Sequence, residues 1–85
     1  MEISTSPLFE RHYKKLSRTL KEKAKAREQL FRTEPFHPSL EAHKLHGKDK
    51  DCWSFSIDRR YRIKFFFLAR DSVLFLDVGT HDMYN

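Results

Sequence analysis

Arginine, histidine and tyrosine are the side chains of this sequence best suited to gripping a phosphate or moving a proton. Arg62 lies early in the alternating run Tyr61-Arg62-Ile63-Lys64-Phe65-Phe66-Phe67. A guanidinium held on a rigid strand can fork to two phosphate oxygens. The other reading is a surface arginine paired with an acid on a neighbouring strand, with Asp77 as the candidate, and pattern alone leaves both open. His43 and His46 stand in His43-Lys44-Leu45-His46-Gly47, and His81 and Tyr84 in the terminal His81-Asp82-Met83-Tyr84. Imidazole serves as acid or base because its pKa lies near neutral pH. His43, His46, His81 and Asp82 contain enough donors for a metal. On a strand, however, His43 and His46 would face opposite sides, and no Cys pair supports a site, so no metal and no cofactor are expected. His12 and His37 read as solvent-facing or locally hydrogen-bonded. The single cysteine, Cys52, cannot form an intramolecular disulfide and reads as a small buried hydrophobe in a reducing cytosol.

Positioning these groups falls to a sheet formed by the second half of the chain. Trp53, Phe55 and Ile57 alternate with Ser54 and Ser56, which is the period of a half-buried strand starting near Cys52. Asp58-Arg59-Arg60 breaks it, and Tyr61, Ile63, Phe65 and Phe67 resume the alternation. After Ala69-Arg70-Asp71-Ser72, residues 73–78 form a further apolar run of strand length. Three strands with short polar links make an antiparallel meander. Residues 1–4 and 43–47 are candidates for two more strands. Strand parity then sends Phe55, Ile57, Ile63, Phe65 and Phe67 to one face, and Ser54, Ser56, Arg62 and Lys64 to an open one. Trp53 alternates with the core set and reads as packing rather than as a stacking platform for a base.

The first half is helical. Ser6-Pro7 reads as an N-cap followed by a first helical residue, with Glu10 in the first turn, where a carboxylate suits the dipole. Phe9, Tyr13, Leu16 and Leu20 recur on one face. No Gly or Pro interrupts Leu8 to Glu34. A single helix over that stretch would reach roughly 40 Å, far too long for a compact domain of this size. A hairpin is therefore expected, breaking near Ser17-Arg18-Thr19 with Ser17 or Thr19 capping the second helix, which ends at Glu34 before Pro35. Lys21, Lys23, Lys25 and Glu28 fall on its outer face, and residues 36–42 read as a linker. The expected architecture is one α+β domain over residues 1–85, a helical hairpin on one face of a mainly antiparallel sheet of three to five strands.

The 85 residues include eight Phe, three Tyr and one Trp, enough apolar bulk for a small core. The net charge of +5 favours a polyanionic partner such as nucleic acid, the ribosome or an acidic protein. No apolar run of about 18 residues exists to span a membrane, no amphipathic stretch has the aromatic face of a membrane-surface helix, and no apolar leader opens the chain. A cytoplasmic protein is expected.

The ordered set Lys44-Leu45-His46-Gly47, Trp53-Ser54-Phe55-Ser56-Ile57-Asp58, Tyr61-Arg62-Ile63-Lys64-Phe65 and Val78-Gly79-Thr80-His81-Asp82-Met83-Tyr84 resembles the RelE/ParE superfamily of bacterial toxins. It is most similar to the RelE, YafQ and YoeB branch of ribosome-dependent mRNA interferases in type II toxin–antitoxin systems. The resemblance spans nearly the whole chain and implies a RelE-like fold. It also implies an enzyme that enters the ribosomal A site, cuts mRNA without a metal, and is neutralised by a cognate antitoxin in a hetero-oligomer. In such enzymes the ribose 2′-OH attacks the adjacent phosphate, a base takes its proton, cations stabilise the phosphorane, and an acid protonates the leaving 5′ oxygen.

Carried onto this sequence, the resemblance makes Arg62 a phosphate-binding arginine and His43 a general base. His81 becomes a proton-transfer or positioning residue, and Tyr84 a terminal aromatic that stacks on a base or donates a proton. Lys44, His46, Arg59, Arg60 and Lys64 are the accompanying candidates for RNA contact. One departure stands out: relatives keep a second arginine where this chain has Ser56, and Arg59, Arg60 or Lys64 would have to replace it. Two other readings follow from the same resemblance, a ParE-like gyrase inhibitor with no catalysis and an inactive binding protein.

Overall fold

The computed structural model describes residues 1–80. The chain opens with strand β1 (Glu2–Thr5), then helices α1 (Pro7–Lys14) and α2 (Arg18–Thr33). A 3₁₀ turn (Pro38–Leu40), the short strand β2 (His43–Lys44) and a second 3₁₀ turn (Gly47–Asp49) lead into β3 (Trp53–Ser56), β4 (Tyr61–Ala69) and β5 (Ser72–Thr80).

The helix starts follow from their caps. Ser6 Oγ accepts the Phe9 N–H at 3.0 Å and donates to the Leu76 carbonyl at 2.7 Å, so one hydroxyl both caps α1 and ties it to β5. Ser17 Oγ accepts the Leu20 N–H at 3.1 Å and starts α2. The chain turns between the two helices, which places Leu16 in the hinge rather than on a helix. Overall extents of 31 × 28 × 25 Å leave no room for the 40 Å rod an unbroken helix would make. Thr33 ends α2, where the Glu34 N–H still reaches the Leu30 carbonyl at 2.7 Å before Pro35.

The five strands form one sheet in the order β1-β5-β4-β3-β2. β1 runs parallel to β5 and every other pair is antiparallel, so the sheet is mixed and the fold is α+β. Phe31 of α2 is fully buried, with ring centroids 4.6 Å from Phe55, 4.9 Å from Phe65 and 5.8 Å from Phe75. Phe9 of α1 joins them 5.5 Å from Phe75. Each such ring contributes about 1.5–3 kcal/mol by leaving water. One ring from α2 therefore pins three strands at once, which fixes the helices on a single sheet face.

Local details differ from the sequence expectations. Cys52 precedes β3 and is half-buried, its N–H bonded to the Asp49 carbonyl at 2.8 Å. The linker contains the 3₁₀ turn that buries Leu40. β2 spans only two residues, because Gly47, at φ 71°, opens the second 3₁₀ turn soon after it. β5 is longer than the apolar run suggests, since β4 pairs with it from Ser72 through Gly79 and Thr80. Register slips between Lys64 and Phe65 leave Leu76 without a partner on β4. That bulge lets Phe75 and Val78, three apart, both reach the core.

Candidate functional site

Cross-strand register assembles the face opposite the helices. His43 of β2 pairs with Ser54 of β3, and Ser54 pairs with Lys64 of β4. Ser56 pairs with Arg62, which lies opposite Gly79 of β5. Directly opposed residues share a face, so His43, Ser54, Ser56, Arg62 and Lys64 stand together, away from Phe55 and Ile63. Parity therefore puts Arg62 on the expected side.

It does not leave Arg62 open. The residue is only 5 % exposed, and Ser54 and Ser56 are buried beside it. Parity fixes the side of a sheet but not what folds across it. Here Glu41 adopts the left-handed conformation (φ 49°) and turns its carbonyl onto the guanidinium. Arg62 Nη2 donates to that carbonyl at 2.7 Å and to the Ser54 carbonyl at 3.2 Å, while Nε donates to Ser54 Oγ at 2.8 Å. Asp77, the alternative partner, instead meets His12 Nδ1 at 2.6 Å and accepts the Val78 N–H at 2.8 Å. His12 is thus a long-range tie between α1 and β5 rather than a local or solvent-facing group. His37 is local, its Nδ1 accepting the Ser39 N–H at 3.1 Å.

His43 is exposed, and its Nδ1 lies 3.2 Å from Arg62 Nη2 and 3.2 Å from the Glu41 carbonyl. The two contacts require opposite tautomers. Arginine only donates, so a bond from Nη2 makes Nδ1 an acceptor and leaves the proton on Nε2. The Glu41 carbonyl already accepts Arg62 at the shorter distance of 2.7 Å. Nη2 has two hydrogens and three acceptors within reach, the Glu41 and Ser54 carbonyls and His43 Nδ1, so its bond to the imidazole competes with its bonds to the main chain.

The remaining candidates disperse. Lys64 Nζ is held by Asp49 at 3.0 Å. Lys44 faces away from His43, opposite Trp53, and His46 is an exposed N-cap residue of the second 3₁₀ turn. Arg59 and Arg60 are exposed in the β3–β4 turn, and Arg60 lines a cleft on the helical side with Lys15 and Lys23. His81 and Tyr84 lie outside the described residues. Trp53 packs with Phe36, Phe65 and Phe67, at centroid separations of 5.4, 6.4 and 6.0 Å.

Arg27 of α2 had no signal in the sequence, reading only as one of many cations on a helix. Its Nε donates to the Ser56 carbonyl at 3.2 Å and its Nη2 to the Ser39 carbonyl, strapping α2 to β3 and to the segment before Glu41. Two guanidinia therefore grip residues 39–41 and the edge of β3.

Chemically, the cluster offers a proton-bearing imidazole beside a buried cation, with no activated nucleophile among the described residues. Ser54 Oγ is taken by Arg62, and Ser56 Oγ donates to the Asp58 carbonyl at 2.6 Å. Burial pushes the Cys52 thiol up, Asp49 and Asp51 push the same way, and Lys64 only partly offsets them, so it stays a neutral thiol. No group of three or more His, Cys, Asp or Glu side chains that could hold a metal occurs among the described residues.

No family model and no curated protein sequence matches this chain. Solved structures do. YafQ from E. coli strain BL21(DE3) superposes with a TM-score of 0.79 at 19% identity, covering 96% of this chain and 94% of that one. The YoeB/ParE toxin from Agrobacterium tumefaciens gives 0.80 at 15% identity, with coverages of 95% and 99%. A chain of the E. coli DinJ–YafQ toxin–antitoxin complex gives 0.77 at 21% identity, with coverages of 96% and 93%. The fold is that of the YafQ and YoeB toxins, the RelE-like fold.

Proposed function

We propose that this chain is the toxin of a type II toxin–antitoxin pair, a ribosome-dependent endoribonuclease that cuts mRNA by attack of the ribose 2′-OH on the adjacent phosphate. The observation that carries the reading is the hydrogen-bonded cluster of His43 and Arg62 on the sheet face opposite the helices. The 2′ oxygen bonds to phosphorus, its proton passes to a base, the P–O5′ bond breaks, and the 5′ oxygen takes a proton. The fragments end in a 2′,3′-cyclic phosphate and a 5′-hydroxyl. A nucleophile supplied by RNA is consistent with serines that are engaged structurally and a thiol that stays protonated.

We infer that His43 acts as a hydrogen-bond donor to the phosphate rather than as the general base the resemblance implies. In the tautomer whose Nδ1 accepts from Arg62, the Nε2–H donates to a non-bridging phosphate oxygen as charge builds in the phosphorane. Arg62 acts as a positioning residue that sets this tautomer and holds positive charge behind the ring. Proton removal from the 2′-OH and proton return to the 5′ oxygen fall to His81 and Tyr84, the groups the resemblance supplies. An antitoxin partner is supported by the solved assemblies of the same fold, DinJ–YafQ and YoeB–YefM, and the net charge of +5 suits both an acidic partner segment and RNA.

Primer extension on a message in a translating extract tests the reading. Wild type should cut, and His43→Gln should cut about 100-fold more slowly, the typical effect of losing one transition-state donor. Arg62→Lys, which keeps the charge but loses the fork, should also lose activity and change the pH profile of the residual cutting. An uncut message with wild type, or full activity in both variants, would refute it. The deep burial of Arg62 favours one other reading, a ParE-like gyrase poison that never contacts RNA; inhibition of gyrase supercoiling by the purified chain would establish that instead.

A further inference from the structure

A cleft of about 320 Å³ opens where the α1–α2 hinge meets the β3–β4 turn, on the opposite side of the sheet from His43. Lys15, Lys23 and Arg60 line its rim, and Leu16, Leu20 and Tyr61 contribute an apolar floor. None of the three cations forms an ion pair with a described residue. Asp58 is the only carboxylate among the described residues of the lining, and its Oδ1 is occupied by the N–H groups of Arg60 and Tyr61 at 2.8 Å each. Three positive charges against one engaged negative charge leave the cleft cationic. Another cavity of similar size, about 350 Å³, is lined by Glu10 and Glu28 against Lys25 alone and so carries no excess of positive charge. The basic one combines what a single nucleotide of a flexible strand needs, ammonium and guanidinium groups for the phosphate and a half-buried aromatic ring for the base.

We infer that this cleft is a second RNA-binding subsite, separate from the His43–Arg62 cluster, which takes one nucleotide of a single-stranded RNA with its phosphate on Lys15, Lys23 and Arg60 and its base against Tyr61. The inference does not require that the chain cuts RNA. A short acidic peptide would satisfy the cations but would not use the apolar floor, so the ring beside the charges favours a nucleotide.

The test uses the full chain and a 2′-O-methylated RNA pentamer, which cannot be cleaved because the attacking hydroxyl is blocked. Binding is followed by amide chemical shifts and by the salt dependence of the affinity. Shifts are expected at Leu16, Thr19, Leu20, Lys23, Arg60 and Tyr61. Replacing Lys15, Lys23 and Arg60 together by Gln should weaken binding at least tenfold and flatten the log–log salt slope by about 0.7, the value for one phosphate contact on a single strand. Tyr61→Leu should weaken the pentamer about fivefold, the lower end of a stacking contribution, while leaving inorganic phosphate binding unchanged. Circular dichroism of each variant should match wild type. An unchanged salt slope in the triple variant, shifts confined elsewhere, or a glutamate pentapeptide that moves the same amides more strongly than RNA would overturn the assignment. Because the probe cannot be cut, failure here is distinct from failure of the nuclease reading.

Discussion

Asp58 accepts two backbone N–H groups in the β3–β4 turn, from Arg60 and Tyr61. Partial burial alone would raise its pKa, but those two bonds and the charges of Lys23 and Arg60 outweigh it and hold the carboxyl below its ordinary value. The sign follows directly: the folded chain binds this proton less readily than the unfolded one, so the stabilisation is present above the unfolded pKa and is lost as pH falls through the lower folded value. Asp58→Asn should therefore lower the melting temperature at neutral pH, with the gap to wild type narrowing below about pH 4. A gap that stays constant into acid would mean that the carboxylate charge contributes nothing. Arg62 illustrates a different kind of residue-scale constraint. Its guanidinium is satisfied by two main-chain carbonyls and a serine hydroxyl, so truncation would strand buried acceptors as well as remove a charge. That is why Arg62→Lys, rather than Arg62→Ala, is the informative variant for function.

At the scale of elements, the helical hairpin depends on two unequal devices. Phe31 touches rings from three strands, so Phe31→Ala should cost about 3–5 kcal/mol through lost transfer energy and the cavity left behind. Ser17 only caps α2, and Ser17→Ala should cost about 1 kcal/mol. Urea unfolding midpoints should rank wild type, Ser17→Ala, Phe31→Ala; equal effects would show that the hinge, not the aromatic cluster, holds the hairpin to the sheet. The two helices were legible because their signals are local: Ser6-Pro7, Ser17 and Pro35 each act through the neighbouring backbone. The β3–β5 meander was legible because its apolar alternation is strong. The strand expected within 43–47 exists as β2 but spans only two residues, and the 3₁₀ turn at Pro38–Leu40 was hidden in a stretch without periodicity. The bulge at Leu76 was equally hidden, as it arises from the mismatch between β4 and β5 rather than from any residue preference.

For the whole molecule, topology explains why the site was half-readable. Strand parity correctly grouped Ser54, Ser56, Arg62 and Lys64 on one face, but the burial of Arg62 depends on a left-handed backbone at Glu41, which nothing in that residue's type announces. The grip of Arg27 on Ser56 and Ser39, and the His12–Asp77 tie across the fold, likewise join segments that are distant in sequence. No helix among the described residues is long and apolar enough to cross a membrane. The two sites lie on opposite sides of the sheet: the exposed His43 above buried Arg62 on one, and the Lys15, Lys23 and Arg60 cleft on the other. An RNA strand engaged at both would run around the β3–β4 turn that joins them. The most direct measurement is the chemistry of the cut ends in a translating extract. Attack by the ribose 2′-OH predicts a 2′,3′-cyclic phosphate on the upstream fragment and a 5′-hydroxyl on the downstream one, both formed about 100-fold more slowly with His43→Gln; a 3′-hydroxyl with a 5′-phosphate, or no cleavage at all by the wild type, would contradict the account.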